Sequence, residues 1–168
     1  MTKTMRALGL GVMLLLPGVV AAQDVGLAIG STPAAVSLAN LDGVQVDLAQ
    51  FIGKKPTIVE FWATWCEQCE KLQPAINRAH ARFGNQVEFV TIAVGVNQSI
   101  RSIRRHLEKH PVPGHLLWDA DGKAVRAFMA PTTSYVVILD AQGKVVYTGS
   151  GADQELEPVL ARVSAATR

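Results

Sequence analysis

The chain has 168 residues, of which 16 are basic and 14 acidic, so its formal net charge is only +2 at neutral pH. Two of the basic residues, Lys3 and Arg6, lie in an N-terminal segment that we expect to be removed, which leaves equal numbers of acids and bases. This balance gives no electrostatic reason to expect a nucleic acid or an anionic membrane surface as a partner. The rest of the chain is long enough for one domain with a substantial core.

Residues 1–22 have the three parts of a secretory signal peptide. Lys3 and Arg6 form a basic start, residues 7–16 are apolar, and small residues follow before the expected cleavage point. The apolar part is shorter than the roughly 20 residues that a membrane-spanning helix needs, so an uncleaved membrane anchor is the less favoured alternative. We therefore predict a mature domain of residues 23–168 in the periplasm or another extracytoplasmic compartment.

The pattern of apolar residues predicts strands that alternate with helices. Residues 57–62 and 87–94 are mostly apolar runs of strand length, which favours strands that are buried on both faces. Between them, apolar side chains recur at steps of three and four residues, as on the buried face of a helix that ends at Gly84. These positions are Cys69, Leu72, Ile76, Ala79 and Phe83.

The remaining elements follow from turn sequences and helical spacing. They are a hairpin of residues 35–38 and 44–46, a helix from its N-cap Asn97 to His110, a strand at 115–118, a short helix ending near Met129, strands at 135–139 and 144–148, and a last helix around 156–163. This order predicts an α/β domain in which a central sheet has helices on both faces.

Cys66 and Cys69 are the only cysteines of the chain, and they lie where a predicted strand ends and a predicted helix begins. As a static disulfide, the pair would close a loop of about four residues and stabilise the fold by only roughly 2 kcal/mol. At a helix N-terminus, by contrast, unpaired backbone N–H groups and the helix dipole stabilise a thiolate. The position favours redox chemistry, with a static disulfide and a weak metal site as the alternatives.

The sequence EFWATWCEQC at residues 60–69, with Pro74 in the helix that follows, resembles the thioredoxin fold. Over residues 30–165 the chain is most similar to the exported TlpA/ResA-like branch. The resemblance implies an α/β thioredoxin fold whose central mixed sheet is flanked by helices, here with an N-terminal β-hairpin extension. It also implies a protein-disulfide oxidoreductase that exchanges electrons through its C-x-x-C dithiol and needs no cofactor.

The same resemblance implies two kinds of partner. One is a protein disulfide substrate, and the other is a dithiol protein, expected to be membrane-bound, that donates electrons. The expected direction is reduction of exported proteins, with apocytochrome c during haem attachment as a candidate client.

The resemblance also implies roles for individual residues. Cys66 would be the nucleophile and Cys69 the resolving thiol that releases the product. Glu60 stands where the family has a carboxylate that moves the proton of the second cysteine, and burial in an apolar strand would raise its pKa. The alternative for Glu60 is an ion pair with Lys71. Trp65 would offer an apolar surface to the substrate, or would serve only in packing.

The segment expected to face the dithiol departs from the family pattern, which has a cis-proline there. Alignment on the turn glycine Gly143 places Ser134 at that position, whereas alignment on the sequence P-T-T places Pro131 there. We favour Ser134, because Phe128 and the turn at Asp140 then both align without a gap. A trans peptide is expected before Ser134, since a cis bond before serine costs about 3–4 kcal/mol. Pro131, Thr133 and Ser134 are therefore predicted to bind substrate together with Trp65.

The absence of that proline leaves a second function open, a thioredoxin-fold binding module whose dithiol binds a metal or stays inert. We predict no metal site elsewhere. His106 and His110 are four residues apart on a predicted helix and could in principle share an ion. Since Arg104 and Arg105 adjoin them, we interpret the two histidines as part of a solvated face.

Overall fold

A computed structural model describes residues 26–166 of the chain. The predicted signal peptide and its cleavage point lie outside these residues. In the described part of the chain, none of the helices combines the length and the apolar character that crossing a membrane requires.

Residues 26–166 form seven strands, four α-helices and a single turn of 3-10 helix at Leu48–Gln50. In chain order, the strands and α-helices are β1 (Ser37–Asn40), β2 (Gln45–Asp47), β3 (Thr57–Trp62), α1 (Glu67–Phe83), β4 (Glu88–Val94), α2 (Ile100–Leu107), β5 (His115–Asp119), α3 (Lys123–Ala127), β6 (Tyr135–Leu139), β7 (Val145–Gly149) and α4 (Leu156–Ala165). Each predicted strand and helix is present, with bounds that differ by a few residues.

The seven strands form a mixed sheet in the order β2-β1-β5-β4-β3-β6-β7. β3 and β5 each pair with β4 in parallel, whereas the β3–β6, β6–β7, β1–β5 and β1–β2 pairs are antiparallel. β3 therefore lies inside the sheet between β4 and β6, and all six of its residues are buried. The predicted mixed sheet and the N-terminal hairpin β1–β2 are both present.

Helices cover both faces of this sheet. On one face, α1 and α4 pack through apolar side chains such as Leu72 and Leu160. On the other face, α2 and α3 contribute Ile103 and Ala124 to a second apolar cluster. Because β3 is covered on both sides, it has no solvent-facing positions for polar residues, which makes the carboxylate of Glu60 exceptional.

The two helices next to the dithiol begin at side chains that cap them. Cys66 precedes α1, and its sulfur accepts the backbone N–H of Cys69. α2 follows Ser99, whose hydroxyl accepts the backbone N–H of Ser102 at 3.2 Å. The prediction that Asn97 caps α2 is wrong, because Asn97 has a left-handed backbone (φ 52°) in the loop before the helix.

Candidate redox site

Cys66 and Cys69 form a disulfide at the N-terminus of α1. The backbone nitrogen of Cys69 lies 3.1 Å from the Cys66 sulfur, to which it donates its hydrogen. Cys66 keeps 7% of its surface exposed, whereas Cys69 is fully buried. A partner can therefore reach Cys66 first, and the helix N-terminus that caps this sulfur is an environment that stabilises a thiolate.

The segment before Cys66 is tied to the loop that follows β4. The Trp65 indole donates to the carbonyl of Val96 at 2.8 Å. The side chain of Gln98 accepts from the Thr64 backbone at 3.0 Å and donates to the Val94 carbonyl at 2.6 Å. Trp65 is 48% exposed beside Val96, which is 57% exposed, so the two form an apolar surface next to the dithiol.

Sequence reasoning missed Gln98 and Val96. No motif marks either residue. The signal that could have located them is the parallel pairing of β3 with β4, which brings the loops after both strands to the same edge of the sheet.

A groove of about 350 Å³ borders Cys66 between α1 and α2, with Trp62, Glu70 and His106 in its wall. The His106 ring lies edge-on to Trp62, with 5.3 Å between ring centroids, and 4.8 Å from the ring of His110. Burial, together with the neighbouring His110, lowers the pKa of His106, while Glu70 acts in the opposite direction. The prediction of a solvated face fits the exposed His110 but is wrong for His106, which is partly buried against Trp62.

Glu60 is 2% exposed and lies in β3 immediately before Phe61, whose carbonyl oxygen is 3.9 Å from the Cys69 sulfur. Among the described residues, neither of its carboxylate oxygens has a hydrogen-bond partner. Burial raises the pKa of Glu60 to about 8. The alternative ion pair is not formed, because Lys71 pairs instead with Glu67 on the surface of α1, at 2.6 Å.

Ser134 lies immediately before β6, beside the end of β3. It is 2% exposed, and its backbone N–H donates to the Phe61 carbonyl at 2.7 Å, so the same carbonyl contacts both Ser134 and Cys69. Thr133 is half-buried and Pro131 is exposed, and both lie outside the groove between α1 and α2. The peptide bonds of the described residues are all trans.

The dithiol therefore has two sets of neighbours. The groove beside Trp65 borders Cys66, and Ser134 bonds the Phe61 carbonyl, which also contacts the Cys69 sulfur. Within residues 26–166, no three histidine, cysteine or acidic side chains are grouped so that they could hold a metal ion.

Comparison with known proteins agrees with this geometry. The Redoxin family model matches residues 28–163. The chain is 25% identical over 141 residues to the thiol-disulfide oxidoreductase ResA of Geobacillus thermodenitrificans, an alignment that covers 82% of this chain and 79% of ResA. It is 27% identical over 142 residues to the thioredoxin-like protein YneN of Bacillus subtilis, with 82% of each chain covered.

A solved structure supports the fold directly. The crystal structure of a secreted disulfide oxidoreductase of Mycobacterium tuberculosis superposes with a TM-score of 0.65 at 25% identity, covering 77% of this chain and 95% of that one. The predicted thioredoxin fold is thus confirmed. The chain belongs to the Redoxin family, as a thioredoxin-like thiol–disulfide oxidoreductase of the ResA-like branch.

Proposed function

We propose that the chain is an exported oxidoreductase that reduces disulfides of other exported proteins. The observation that carries this proposal is the asymmetry of the dithiol, in which a capped and slightly exposed Cys66 sulfur is joined to a fully buried Cys69. Disulfide exchange needs one sulfur that partners can reach, and burial of the other sulfur directs their attack to the first, whereas a static cross-link needs neither property.

In the first step, the Cys66 thiolate of the reduced protein attacks one sulfur of the client disulfide. A mixed disulfide forms between Cys66 and the client, and the other client sulfur leaves as a thiolate that takes up a proton from solvent. The capping N–H of Cys69 favours the attacking thiolate because it donates to the Cys66 sulfur at 3.1 Å.

In the second step, Cys69 loses its proton and attacks the Cys66 sulfur. The Cys66–Cys69 disulfide forms, and the second client sulfur leaves with the electron pair, so that the client gains two electrons and the protein loses two. Glu60 is the proton acceptor in this proposal. Its buried carboxylate, which has no hydrogen-bond partner within residues 26–166, adjoins Phe61, whose carbonyl contacts the Cys69 sulfur. A pKa of about 8 allows proton exchange near neutral pH.

Client contacts are proposed on both sides of Cys66. The half-exposed ring of Trp65 offers an apolar surface to side chains near the client's disulfide. Residues 131–134, including Pro131, Thr133 and Ser134, offer backbone to an extended client segment on the other side. The contact of Ser134 with the Phe61 carbonyl supports this assignment, because it brings the segment to the edge of the dithiol.

The wider setting of the reaction is also a proposal. Residues 1–22 have the pattern of a signal peptide, and the similar Mycobacterium tuberculosis enzyme is described as secreted. In an oxidising compartment a reductant needs a supply of electrons, so we propose a membrane-bound dithiol donor that reduces Cys66–Cys69 after each cycle. Apocytochrome c is a client of the right kind, since haem attachment requires its cysteines to be reduced.

The reduction potential of Cys66–Cys69 tests the direction of electron flow. We expect a value below roughly −230 mV, as for reductants of the thioredoxin type, from thiol trapping of residues 23–168 in defined redox buffers. A value above roughly −180 mV would contradict a reductant and would indicate an oxidant or isomerase. Insulin reduction measured in parallel tests the activity itself, because a binding module with an inert dithiol would not turn over.

A further inference from the structure

Ser134 has a backbone conformation that side-chain-bearing residues rarely adopt. Its φ is 60°, in the left-handed region, although it is a serine immediately before a strand. Such a conformation persists only where the surrounding structure holds it, and these outliers concentrate at functional sites. Since Ser134 borders the dithiol through Phe61, the groups that hold its backbone are candidates for a role in the reaction.

The side chain of Gln154, in the loop between β7 and α4, holds this backbone. Its amide nitrogen donates to the Ser134 carbonyl at 2.9 Å and to the Gly151 carbonyl at 2.8 Å. Its amide oxygen accepts from the Tyr147 hydroxyl at 3.1 Å. Gln154 is 9% exposed, so this amide is a buried group with each of its polar atoms bonded.

Two neighbouring glycines complete the arrangement. The backbone N–H of Gly151 donates to the Ser134 hydroxyl at 3.0 Å, so the same loop holds both the side chain and the carbonyl of Ser134. At Gly149 a Cβ would lie 2.7 Å from the Gln154 amide oxygen and would also collide with the Tyr147 hydroxyl. A glycine at 149 therefore leaves the space that the Gln154 amide occupies.

We propose that Gln154 is a positioning residue for disulfide exchange with polypeptide clients. It holds residues 133–134 where an extended client segment docks beside the Cys66 sulfur. The inference rests on the proposed function, because it requires that clients contact this segment. When the Gln154 amide is removed, the Ser134 carbonyl loses its hydrogen bond. The Ser134 backbone then relaxes from φ 60° toward an ordinary conformation, and this displaces residues 133–134.

The proposal separates two classes of substrate. A disulfide within a polypeptide must be placed by its flanking chain, whereas oxidised glutathione is small enough to reach Cys66 without docking on residues 133–134. A loss of positioning therefore raises KM for a peptide disulfide and has little effect on glutathione disulfide. A general disturbance of the dithiol would slow both reactions equally.

The test compares Gln154→Met with wild type and with Tyr147→Phe, which removes only the bond to the amide oxygen. We expect Gln154→Met to raise KM about tenfold for a disulfide-bonded peptide, with kcat and the reduction of glutathione disulfide changed by less than about twofold. Tyr147→Phe should stay within about twofold of wild type on both substrates. If Gln154→Met does not fold, Gln154→Glu serves instead, since it keeps an oxygen for Tyr147 and loses the donor to Ser134.

A double variant makes the assignment specific. Glycine adopts φ 60° without strain, so in a Ser134→Gly background the change Gln154→Met should raise KM by only about twofold. An unchanged KM for the peptide in Gln154→Met, or equal losses on both substrates, would overturn the proposal. A wild-type protein that reduces glutathione disulfide but not the peptide would instead show that the proposed function is wrong.

Discussion

Residues 60–69 and residues 131–134 meet at the carbonyl of Phe61, yet different interactions hold them. The first segment is built from regular structure, with β3 paired on both sides and a capped helix that begins within ten residues of Glu60. The second has no regular structure before β6, and distant side-chain and backbone groups of the β7–α4 loop hold it. The dithiol segment is thus held mainly by regular secondary structure, whereas residues 131–134 depend on bonds from a distant loop, and the two segments should respond differently to mutation.

The largest effect is expected for the cysteines themselves. Cys66→Ser should reduce insulin reduction by at least about 1,000-fold, because the attacking thiolate is gone. Cys69→Ser should keep the first step and accumulate a mixed disulfide with the client, which non-reducing electrophoresis detects. Exchange that persisted in Cys66→Ser would contradict the assignment of the nucleophile.

Glu60 should affect the rate of the second step and its pH dependence. In wild type this rate should rise with pH as the carboxyl ionises near pH 8, which makes it a proton acceptor. Glu60→Gln should slow the step by about 100-fold and remove that inflection, as expected for loss of a general base. Single-turnover kinetics between pH 6 and 9 measure both properties, and Glu108→Gln is a matched control on the surface. An inflection retained in Glu60→Gln would assign the proton transfer to another group.

Ser134→Pro tests how firmly residues 131–134 are held. Proline cannot adopt φ 60° and has no N–H for the Phe61 carbonyl. We expect the free energy of unfolding to fall by about 3 kcal/mol or more, measured by denaturant titration. Pro131→Ala is the control at an exposed position and should change it by less than about 0.5 kcal/mol. An unchanged free energy of unfolding in Ser134→Pro would mean that residues 131–134 rearrange easily and are not held firmly by the β7–α4 loop.

Glu60 should also make stability depend on pH. Its pKa is about 8 in the folded protein and near the ordinary 4.5 in the unfolded chain, so between these values the folded state holds a proton that the unfolded state has released. The free energy of unfolding should therefore fall with rising pH across this window, by about 1.4 kcal/mol per pH unit. The measurement is made on the oxidised protein, because the disulfide-bonded Cys66 and Cys69 do not titrate. The difference between wild type and Glu60→Gln isolates the carboxyl, and a difference independent of pH would contradict the raised pKa.

Trp65 is expected to show the smallest effect. Trp65→Phe keeps an apolar ring and loses only the bond to the Val96 carbonyl, so KM for a peptide disulfide should change by less than about twofold. Trp65→Ala removes the apolar surface as well and should raise KM by about fivefold. Equal KM values for the two variants would assign the effect to the indole hydrogen bond and would argue against a client-binding surface.

The sequence predicted the elements around the dithiol well because each has a local signal. β3 is a mostly apolar run because it is buried on both faces. α1 is buried on one face only, which gives the helical spacing of Leu72, Ile76 and Phe83. The error at Asn97 has a local cause as well, since asparagine suits both an N-cap and a left-handed loop position. The partial burial of His106 could not be predicted from the sequence, because it depends on the packing of α2 beside Trp62.

The sequence by itself determined the α/β fold and the position of the dithiol at a helix start, because periodicity and the spacing of two cysteines are properties of neighbouring residues. The family followed from the resemblance of residues 60–69 to known members. Only the tertiary structure decided that Glu60 has no partner among the described residues, that Gln98 fixes the loop before Cys66, and that Gln154 holds Ser134. The contacts of Gln98 and Gln154 join residues that are distant in the chain. Which distant groups meet depends on how strands pair and loops close over the sheet, and no local pattern encodes that choice.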